Sequence, residues 1–211
     1  MDIEQVLVEG APPVMAILRG VQPEEALAIA KALVDAGIRI IEVPLNSPRP
    51  FESIAMLQSA FGNIACIGAG TVLDAAAVDA LANTGARLMV TPNTDAALIA
   101  RGVARGLSPV PGFVTPTEAF TAITAGAQRL KLFPSAAFSP AYLKAIREVL
   151  PKTIGVWAVG GTGADNLGEW LDAGSEGIGV GGALYHAGDS AQSVSMRARE
   201  LVAIWRAWKN C

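Results

Sequence analysis

The sequence predicts an α/β protein, a (β/α)8 TIM barrel that forms one domain over residues 1–211. Short apolar runs alternate eight times with amphipathic stretches of about 10 to 14 residues, the periodicities of strands and helices. Helix-start residues follow the apolar runs, and glycines end several amphipathic stretches. Eight such units within 211 residues match the lower end of the barrel size range. A doubly wound open sheet is the alternative fold.

The eight predicted strands are short apolar runs. In chain order they are "VMAILR" (14–19), "IRIIEVPL" (38–45), "ACIGAGTV" (65–72), "RLMVTPN" (87–93), "LSPVPGFV" (107–114), "RLKLFPS" (129–135), "GVWAVGG" (155–161) and "EGIGVGGAL" (176–184). In a barrel, functional residues lie at the carboxyl ends of the strands and in the loops that follow them. The unusual residues of this chain fall in those places.

The predicted helices begin at residue types that cap helix N-termini. These signals are Pro23 with Glu24 and Glu25, Asp74, Thr94 with Asp95, Thr117 with Glu118, Ser139 with Pro140, and Asp165. Left-handed C-caps that lead into the next strand are predicted at Gly37, Gly85, Gly126 and Gly174. A last helix over 190–210 closes the chain.

Composition and charge exclude several classes of protein. With 52% hydrophobic and 17% charged residues, the chain is predicted to fold around a large core. No uninterrupted apolar run approaches a membrane span, and the acidic start "MDIEQVLVEG" is unlike a signal peptide, so the cytoplasm is the expected location. A net charge of -3 without basic runs argues against nucleic acid as a partner. Cys66 and Cys211 have no metal-ligand spacing and are interpreted as structural.

The chain has one histidine, His186, which limits the available chemistry. Serine-histidine hydrolases and histidine-ligated metal sites need a histidine placed among partners, and only Asp189 lies close to His186 in sequence. We therefore interpret His186 as an ordinary surface residue. Chemistry is expected from lysine, carboxylate, arginine, hydroxyl and backbone groups.

Two ionisable residues, Lys131 and Glu42, stand within predicted strands. Side chains of a barrel strand alternate between the interior and the helices, so Leu130 and Leu132 facing the helices turn Lys131 inward. The same alternation over 41–45 turns Glu42 inward. Because interior layers draw on alternate strands, strands two and six allow the pair to share a layer. A buried salt bridge is the structural alternative, although such pairs contribute little net stability.

Lys131 is best interpreted as a nucleophile that forms a Schiff base with a carbonyl substrate. A lysine amine has an ordinary pKa of about 10.4 and is inert when protonated, but desolvation or a nearby cation lowers that pKa. Arg19, which ends the first strand in "AILRG", can be that cation and can also grip a carboxylate. The alternative for Arg19 is a surface position at the start of a loop.

Glycines at the ends of the last two strands indicate a phosphate site. "VGG" places Gly160 and Gly161 after strand seven, and "GVGG" places Gly181 and Gly182 after strand eight. The loops after strands seven and eight are the usual phosphate position of this fold. Backbone N–H groups without a neighbouring Cβ can cradle a phosphate.

Seven motifs in this order, spread over nearly the whole chain, resemble the 2-keto-3-deoxy-6-phosphogluconate aldolase family. They are "AILRG", "IEVPLNSP", "GAGTVL", "VTPN", "PGFVTPTEAF", "LKLFPS" and "AVGG". The resemblance implies a class I aldolase that cleaves a six-carbon 2-keto-3-deoxy sugar acid phosphate into pyruvate and D-glyceraldehyde 3-phosphate. It also implies a homotrimer. No cofactor or metal is expected, because an iminium supplies the electrophilic stabilisation that a metal ion would otherwise give.

The resemblance implies roles for four residues. Lys131 in "LKLFPS" matches the lysine that forms the imine, and Glu42 in "IEVPLN" matches the general acid and base. Arg19 in "LRG" and Thr71 in "GAGT" match positions that contact the carboxylate or polar end of the substrate.

At the predicted phosphate end, most residues match the pattern of the family and one differs from it. Gly160 and Gly161 match phosphate contacts. Val159, together with "PLNSP" after the glutamate, favours the branch of the family that acts on the galactonate epimer, because the gluconate branch usually has threonine at the valine position. Gly182 stands where the family often has a serine that donates to the phosphate, and Ser135 is a candidate replacement.

Three other functions remain open from the residues. A phosphate-binding barrel isomerase or epimerase would use Glu42 as a base and Lys131 as an electrostatic clamp, without a covalent adduct. A gluconate-specific aldolase or a catalytically silent sugar-phosphate binder are the others. The pattern also leaves open whether Trp157 and Phe133 line the pocket or pack behind it.

Overall fold

Nine parallel strands curve into a nearly closed barrel in a computed structural model that describes residues 1–210. Cys211 lies outside the described residues. The strands are β1 (Val14–Ile17), β2 (Ile40–Pro44), β3 (Cys66–Gly70), β4 (Leu88–Val90), β5 (Ser108–Val110), β6 (Gly112–Phe113), β7 (Arg129–Leu132), β8 (Gly155–Val159) and β9 (Gly177–Val180). Their order in the sheet is β5-β4-β3-β2-β1-β9-β8-β7-β6.

The predicted fifth strand is present as two pieces, β5 and β6, separated by Pro111. β5 pairs with β4 and β6 pairs with β7, so the covalent chain through Pro111 joins the two edges of the sheet. Proline has no N–H to donate, although its carbonyl accepts a hydrogen bond of 2.8 Å from the N–H of Lys131. The predicted strands six, seven and eight are therefore β7, β8 and β9, and the predicted eight-unit barrel is confirmed.

One helix precedes the first strand, and the others follow strands around the outside of the barrel. They are α1 (Ile3–Val8), α2 (Pro23–Ala36), α3 (Pro50–Phe61), α4 (Ala75–Asn83), α5 (Ala96–Ala104), α6 (Pro116–Thr124), α7 (Pro140–Arg147), α8 (Leu167–Asp172) and α9 (Ala191–Lys209). The predicted starts of α2, α4, α5 and α7 are confirmed, and Gly37, Gly85, Gly126 and Gly174 all have positive φ. None of the helices within residues 1–210 is both long enough and apolar enough to cross a membrane.

Two helix starts differ from the predicted positions. α6 is capped by Thr115 rather than beginning at Thr117, because the Thr115 hydroxyl accepts from the N–H of Glu118 while the Glu118 side chain accepts from the N–H of Thr115. α8 follows Asn166 rather than Asp165. The strands also end earlier than predicted, since residues at their carboxyl ends turn into the loops.

The short helix α1 has no predicted counterpart and packs at the N-terminal end of the barrel. Asp2 caps it by accepting a hydrogen bond of 2.9 Å from the N–H of Gln5. Ile3 and Val6 are buried in the same apolar cluster as Met15, Trp157 and other inward-facing strand residues. α1 thus contributes to the core that fills the barrel.

The barrel separates an inner from an outer core. Leu130 and Leu132 lie in the cluster between strands and helices, which leaves Lys131 on the inner face as predicted. Cys66 belongs to the inner cluster, and burial raises the pKa of its thiol to about 12. A protonated, buried thiol behaves as a small apolar residue, which supports the structural interpretation of Cys66.

Candidate active site

The carboxyl ends of the strands and the loops after them border a cavity of about 450 Å³. This volume lies within the range of small-molecule sites in proteins. All nine site residues predicted from the sequence line the cavity, namely Arg19, Glu42, Thr71, Lys131, Val159, Gly160, Gly161, Gly181 and Gly182. The fold therefore brings together residues that lie up to 163 positions apart in the chain.

Lys131 reaches the cavity from β7 and is only 6% exposed. Its Nζ lies 4.6 Å from the ring centroid of Phe133, two residues further along the same side of the chain. Burial is the main cause that lowers the pKa of Lys131 to about 8, and Arg19 lowers it further, while the negative charge of Glu42 opposes both. The neutral form of the Lys131 amine is therefore much more populated in this site than it would be in water.

Glu42 lies on β2 and is 3% exposed. Its Oε2 is fully buried and has no hydrogen-bond partner among the described residues. Burial raises the pKa of Glu42 to about 7, although Lys131 and Arg19 attract the ionised form. Buried polar atoms in proteins are nearly always paired, so this oxygen is an acceptor that the folded chain leaves for a ligand.

Gly70, which sequence reasoning missed, makes room for the Glu42 carboxylate. A Cβ built on Gly70 would lie 1.7 Å from Oε2 of Glu42 and 2.3 Å from its Cδ. Both separations are far inside van der Waals contact, so a side chain at position 70 excludes the present position of the carboxylate. The available signal was the alternation of Gly68 and Gly70 in β3, which puts both on the inner face of the barrel.

Arg19 and Thr71 border the cavity on the side of the first three strands. Nη1 of Arg19 donates to Oδ1 of Asn46 at 2.6 Å, and the N–H of Gly20 donates to Oγ of Ser47 at 2.9 Å. The "LNSP" segment thereby positions the loop that carries Arg19. Thr71 has φ of 57°, an uncommon conformation for a β-branched residue, and such strain concentrates at functional sites.

At the glycine end of the cavity, the carbonyls of three glycines already accept hydrogen bonds. The Gly160 carbonyl accepts from the hydroxyl of Ser135 at 2.7 Å, and the Gly161 carbonyl accepts from Nδ2 of Asn166 at 2.9 Å. The Gly181 carbonyl accepts two N–H groups of the following turn. The N–H groups of these glycines are the backbone atoms that remain for an anion.

The structure shows where Phe133, Trp157 and Ser135 lie relative to the cavity, which the sequence left open. Phe133 lines the cavity, whereas Trp157 is fully buried and packs behind it. Ser135 is fully buried and supports Gly160 through its hydrogen bond, so it is not a cavity donor in place of a side chain at Gly182.

Sequence reasoning also missed two polar residues that line the cavity beside the glycine end, Asp165 and Asn166. Asn166 immediately precedes α8, but its side chain makes no capping hydrogen bond to the helix and instead accepts from the N–H of Gly163 at 3.1 Å. Within the part of the chain that the structure describes, no three His, Cys, Asp or Glu side chains cluster in a way that could hold a metal ion.

The sequence and the fold are similar to proteins of known function. The family model described as KDPG and KHG aldolase matches residues 3–197. The chain is 50% identical over 194 residues to the 2-dehydro-3-deoxy-6-phosphogalactonate aldolase of Escherichia coli (strain K12), which covers 92% of this chain and 95% of the relative.

Solved structures of similar proteins have the same fold as this chain. A structure described as native KDPGal superposes with a TM-score of 0.93 at 49% identity and covers 94% of this chain and 97% of the other. A cube-shaped protein cage designed by fusing symmetric oligomeric domains gives the same TM-score and identity over 94% of this chain and 74% of the other. KDPG aldolase from Legionella pneumophila, with pyruvate captured as a covalent carbinolamine, gives 0.76 at 25% identity over 96% of each chain. On the match over residues 3–197 and the 50% identity to the Escherichia coli aldolase, this chain belongs to the KDPG and KHG aldolase family.

Proposed function

We propose that this aldolase is a class I, Schiff-base enzyme that reversibly cleaves 2-dehydro-3-deoxy-6-phosphogalactonate to pyruvate and D-glyceraldehyde 3-phosphate. The observation that carries the proposal is the buried amine of Lys131 in one cavity with the unpaired, buried carboxylate of Glu42. The name of the Escherichia coli relative supports the substrate, and the covalent carbinolamine of the Legionella enzyme supports the intermediate.

The proposed reaction begins when the neutral amine of Lys131 attacks the C2 ketone, and loss of water gives an iminium. Glu42, directly or through a water molecule, removes the proton of the C4 hydroxyl. The C3–C4 bond then breaks, its electron pair moves toward the iminium nitrogen, and glyceraldehyde 3-phosphate leaves. The resulting enamine is protonated at C3, and hydrolysis releases pyruvate and restores the amine.

The cavity orients the substrate for this sequence. The guanidinium of Arg19 is proposed to hold the C1 carboxylate, and Thr71 to contact the same polar end. The N–H groups of Gly160, Gly161, Gly181 and Gly182 are proposed to hold the phosphate at the opposite end. The ketone then lies between these two anchors, near Lys131.

Replacing Gly70 with alanine is expected to lower kcat by about 10²-fold or more, because the new Cβ displaces the carboxylate that acts as general base. Formation of the imine with pyruvate should persist, since Lys131 is unchanged. Steady-state kinetics and borohydride trapping measure the two effects, and circular dichroism shows whether the variant folds. Unchanged kcat in a folded variant would contradict the placement of Glu42.

The preference of the enzyme for one of the two C4 epimers of the substrate is expected to depend on Val159, which is 4% exposed and lines the cavity. Wild-type protein should cleave the galactonate epimer with higher kcat/KM than the gluconate epimer, with pyruvate release followed by a coupled assay. Val159→Thr preserves the shape of the side chain and adds a hydroxyl that can bond a polar substituent at C4. The ratio of the two kcat/KM values should shift toward the gluconate epimer by roughly tenfold.

An unchanged ratio would remove Val159 from the determinants of specificity. A wild-type preference for the gluconate epimer would assign the chain to the other substrate. Val156→Thr is the matched control, because Val156 lies on the same strand but belongs to the outer core, away from the cavity.

We further propose that the enzyme is a homotrimer located in the cytoplasm. The designed cage of fused oligomeric domains, one chain of which is 49% identical to this protein, supports an oligomer. A shallow surface of Ala96, Ala100, Pro116 and Phe120 on α5 and α6 is a candidate contact, since Phe120 is 43% exposed. Light scattering measures the subunit number, and cell fractionation tests the location.

A further inference from the structure

His186 is exposed, as the sequence indicated, and its ring lies beside Gly182 at the glycine end of the cavity. A Cβ built on Gly182 would lie 3.3 Å from Nε2 of His186 and 4.0 Å from the two adjacent ring carbons. Gly182 itself lines the cavity, so Nε2 is the ring atom nearest to that part of the lining. The side chain of His186 is 69% exposed, which leaves the ring accessible to a ligand.

The backbone of His186 is held in place by its own loop, which is in turn tied to α9. Oδ2 of Asp189 accepts from the backbone N–H of His186 at 2.9 Å and lies 3.7 Å from Nδ1 of its ring. Arg197 donates to the same oxygen at 2.5 Å, and this hydrogen bond is the main cause that lowers the pKa of Asp189. The hydroxyl of buried Tyr185, the neighbouring residue, donates to Glu25 of α2 at 2.7 Å.

This arrangement gives the imidazole two different sides. Nδ1 faces the ionised carboxylate of Asp189, and Nε2 lies next to Gly182. A protonated histidine donates from both ring nitrogens, so one ring can bridge a carboxylate and a second anion. A loop that holds the backbone of His186 in place before the ligand arrives reduces the entropy lost on binding.

A phosphate bound at the glycine end would have no positively charged side chain of the cavity lining assigned to it. The basic side chains in the lining are Arg19 and Lys131, which the proposed reaction assigns to the carboxylate and the ketone. Asp165 adds a negative charge to the lining beside the glycines. A phosphate held by backbone N–H groups alone would face that carboxylate without a compensating charge.

We propose that His186 is a substrate-binding residue that donates a hydrogen bond from Nε2 to the phosphate of the substrate. The proposal rests on the phosphorylated substrate proposed above. Glycine at position 182 belongs to the same arrangement, because a Cβ at 3.3 Å would crowd the ring. The imidazole then supplies the side-chain donor that Gly182 lacks.

Replacing His186 with alanine is expected to raise both KM for the phosphorylated substrate and Ki for inorganic phosphate by roughly tenfold, the loss of one charge-assisted hydrogen bond near the surface. Trapping of pyruvate by borohydride should be unchanged, because pyruvate carries no phosphate. His186→Arg, which keeps an N–H donor at this position, should recover most of the affinity. Lys31→Ala removes an exposed cation on α2 and serves as the control with unchanged KM and Ki.

A second pair of variants separates binding from a structural role. Gly182→Ser in the wild-type background should weaken phosphate binding by crowding the ring, whereas Gly182→Ser combined with His186→Ala should restore it through the serine hydroxyl. Equal KM and Ki in His186→Ala and wild type, with normal turnover, would overturn the role of His186 and leave the aldolase function intact. Loss of pyruvate trapping in His186→Ala would also overturn it, since that points to a general structural effect. A wild-type protein that cleaves neither epimer would overturn both proposals.

Discussion

Replacing Lys131 with methionine is expected to reduce cleavage of the phosphorylated keto acid by on the order of 10⁴-fold or more, the loss typical of removing a covalent nucleophile. Methionine preserves the length and apolar stem of the side chain, so the barrel interior remains filled. Thermal unfolding checks that the variant is folded, because relief of the burial cost of the lysine ammonium is opposed by the loss of its attraction to Glu42.

Lys131→Arg distinguishes a nucleophile from an electrostatic clamp. Arginine retains the positive charge but is effectively always protonated and cannot form the imine. A clamp mechanism, as in an isomerase or epimerase, predicts substantial activity in Lys131→Arg, whereas a Schiff-base mechanism predicts activity as low as in Lys131→Met. Turnover by the arginine variant near the wild-type level would contradict the proposed role.

The same residue sets the expected dependence on pH. Burial lowers the pKa of Lys131 to about 8, so the reactive neutral amine is lost as the pH falls through about 8. Burial raises the pKa of Glu42 to about 7, so the ionised base is also lost as the pH falls, over a lower range. Deprotonation of Lys131 and deprotonation of Glu42 both increase the rate of cleavage. A steady-state pH profile should therefore show a rate that rises from pH 6 toward pH 8.

Replacing Glu42 with glutamine is expected to lower kcat for cleavage by about 10² to 10⁴-fold, the contribution typical of a general base. Glutamine has nearly the same shape but cannot accept the proton of the C4 hydroxyl. Pyruvate should still form an imine with Lys131 in this variant, and its borohydride-reduced adduct is measured by mass spectrometry. Loss of both cleavage and adduct would show that Glu42 also maintains the amine, which contradicts the division of roles between the two residues.

The fold and most of the predicted site followed from local periodicity. The alternation of Leu130 and Leu132 with Lys131 was enough to place the amine inside the barrel, and the glycines at 160, 161, 181 and 182 marked the ends of two strands. Side-chain direction in a strand is a local property with period two, so a correct strand assignment also fixes which residues face the interior. Barrel closure then brings those positions to one cavity.

Features that depend on contacts between distant segments were not predicted. The need for glycine at position 70 arises from the Glu42 carboxylate on the neighbouring strand, and the packing of α1 arises from the open end of the barrel. His186 is exposed, as the sequence indicated, but its approach to Gly182 depends on how the loop after β9 turns and was not predicted. The alternation of Gly68 and Gly70 indicates which face of β3 they occupy, but the contacts themselves cannot be read from the spacing of residues along the chain.

The most direct test of the central claim is to incubate the protein with pyruvate, reduce it with borohydride, and locate the modification by mass spectrometry after digestion with trypsin. A modified Lys131 resists trypsin, so the expected adduct lies on an uncleaved peptide of residues 130–144. The Lys131→Met variant also yields residues 130–144 as one peptide, but without the added mass of the adduct. Wild-type protein that yields no adduct under conditions that trap another lysine aldolase, or an adduct on a different lysine, would contradict the Schiff-base mechanism.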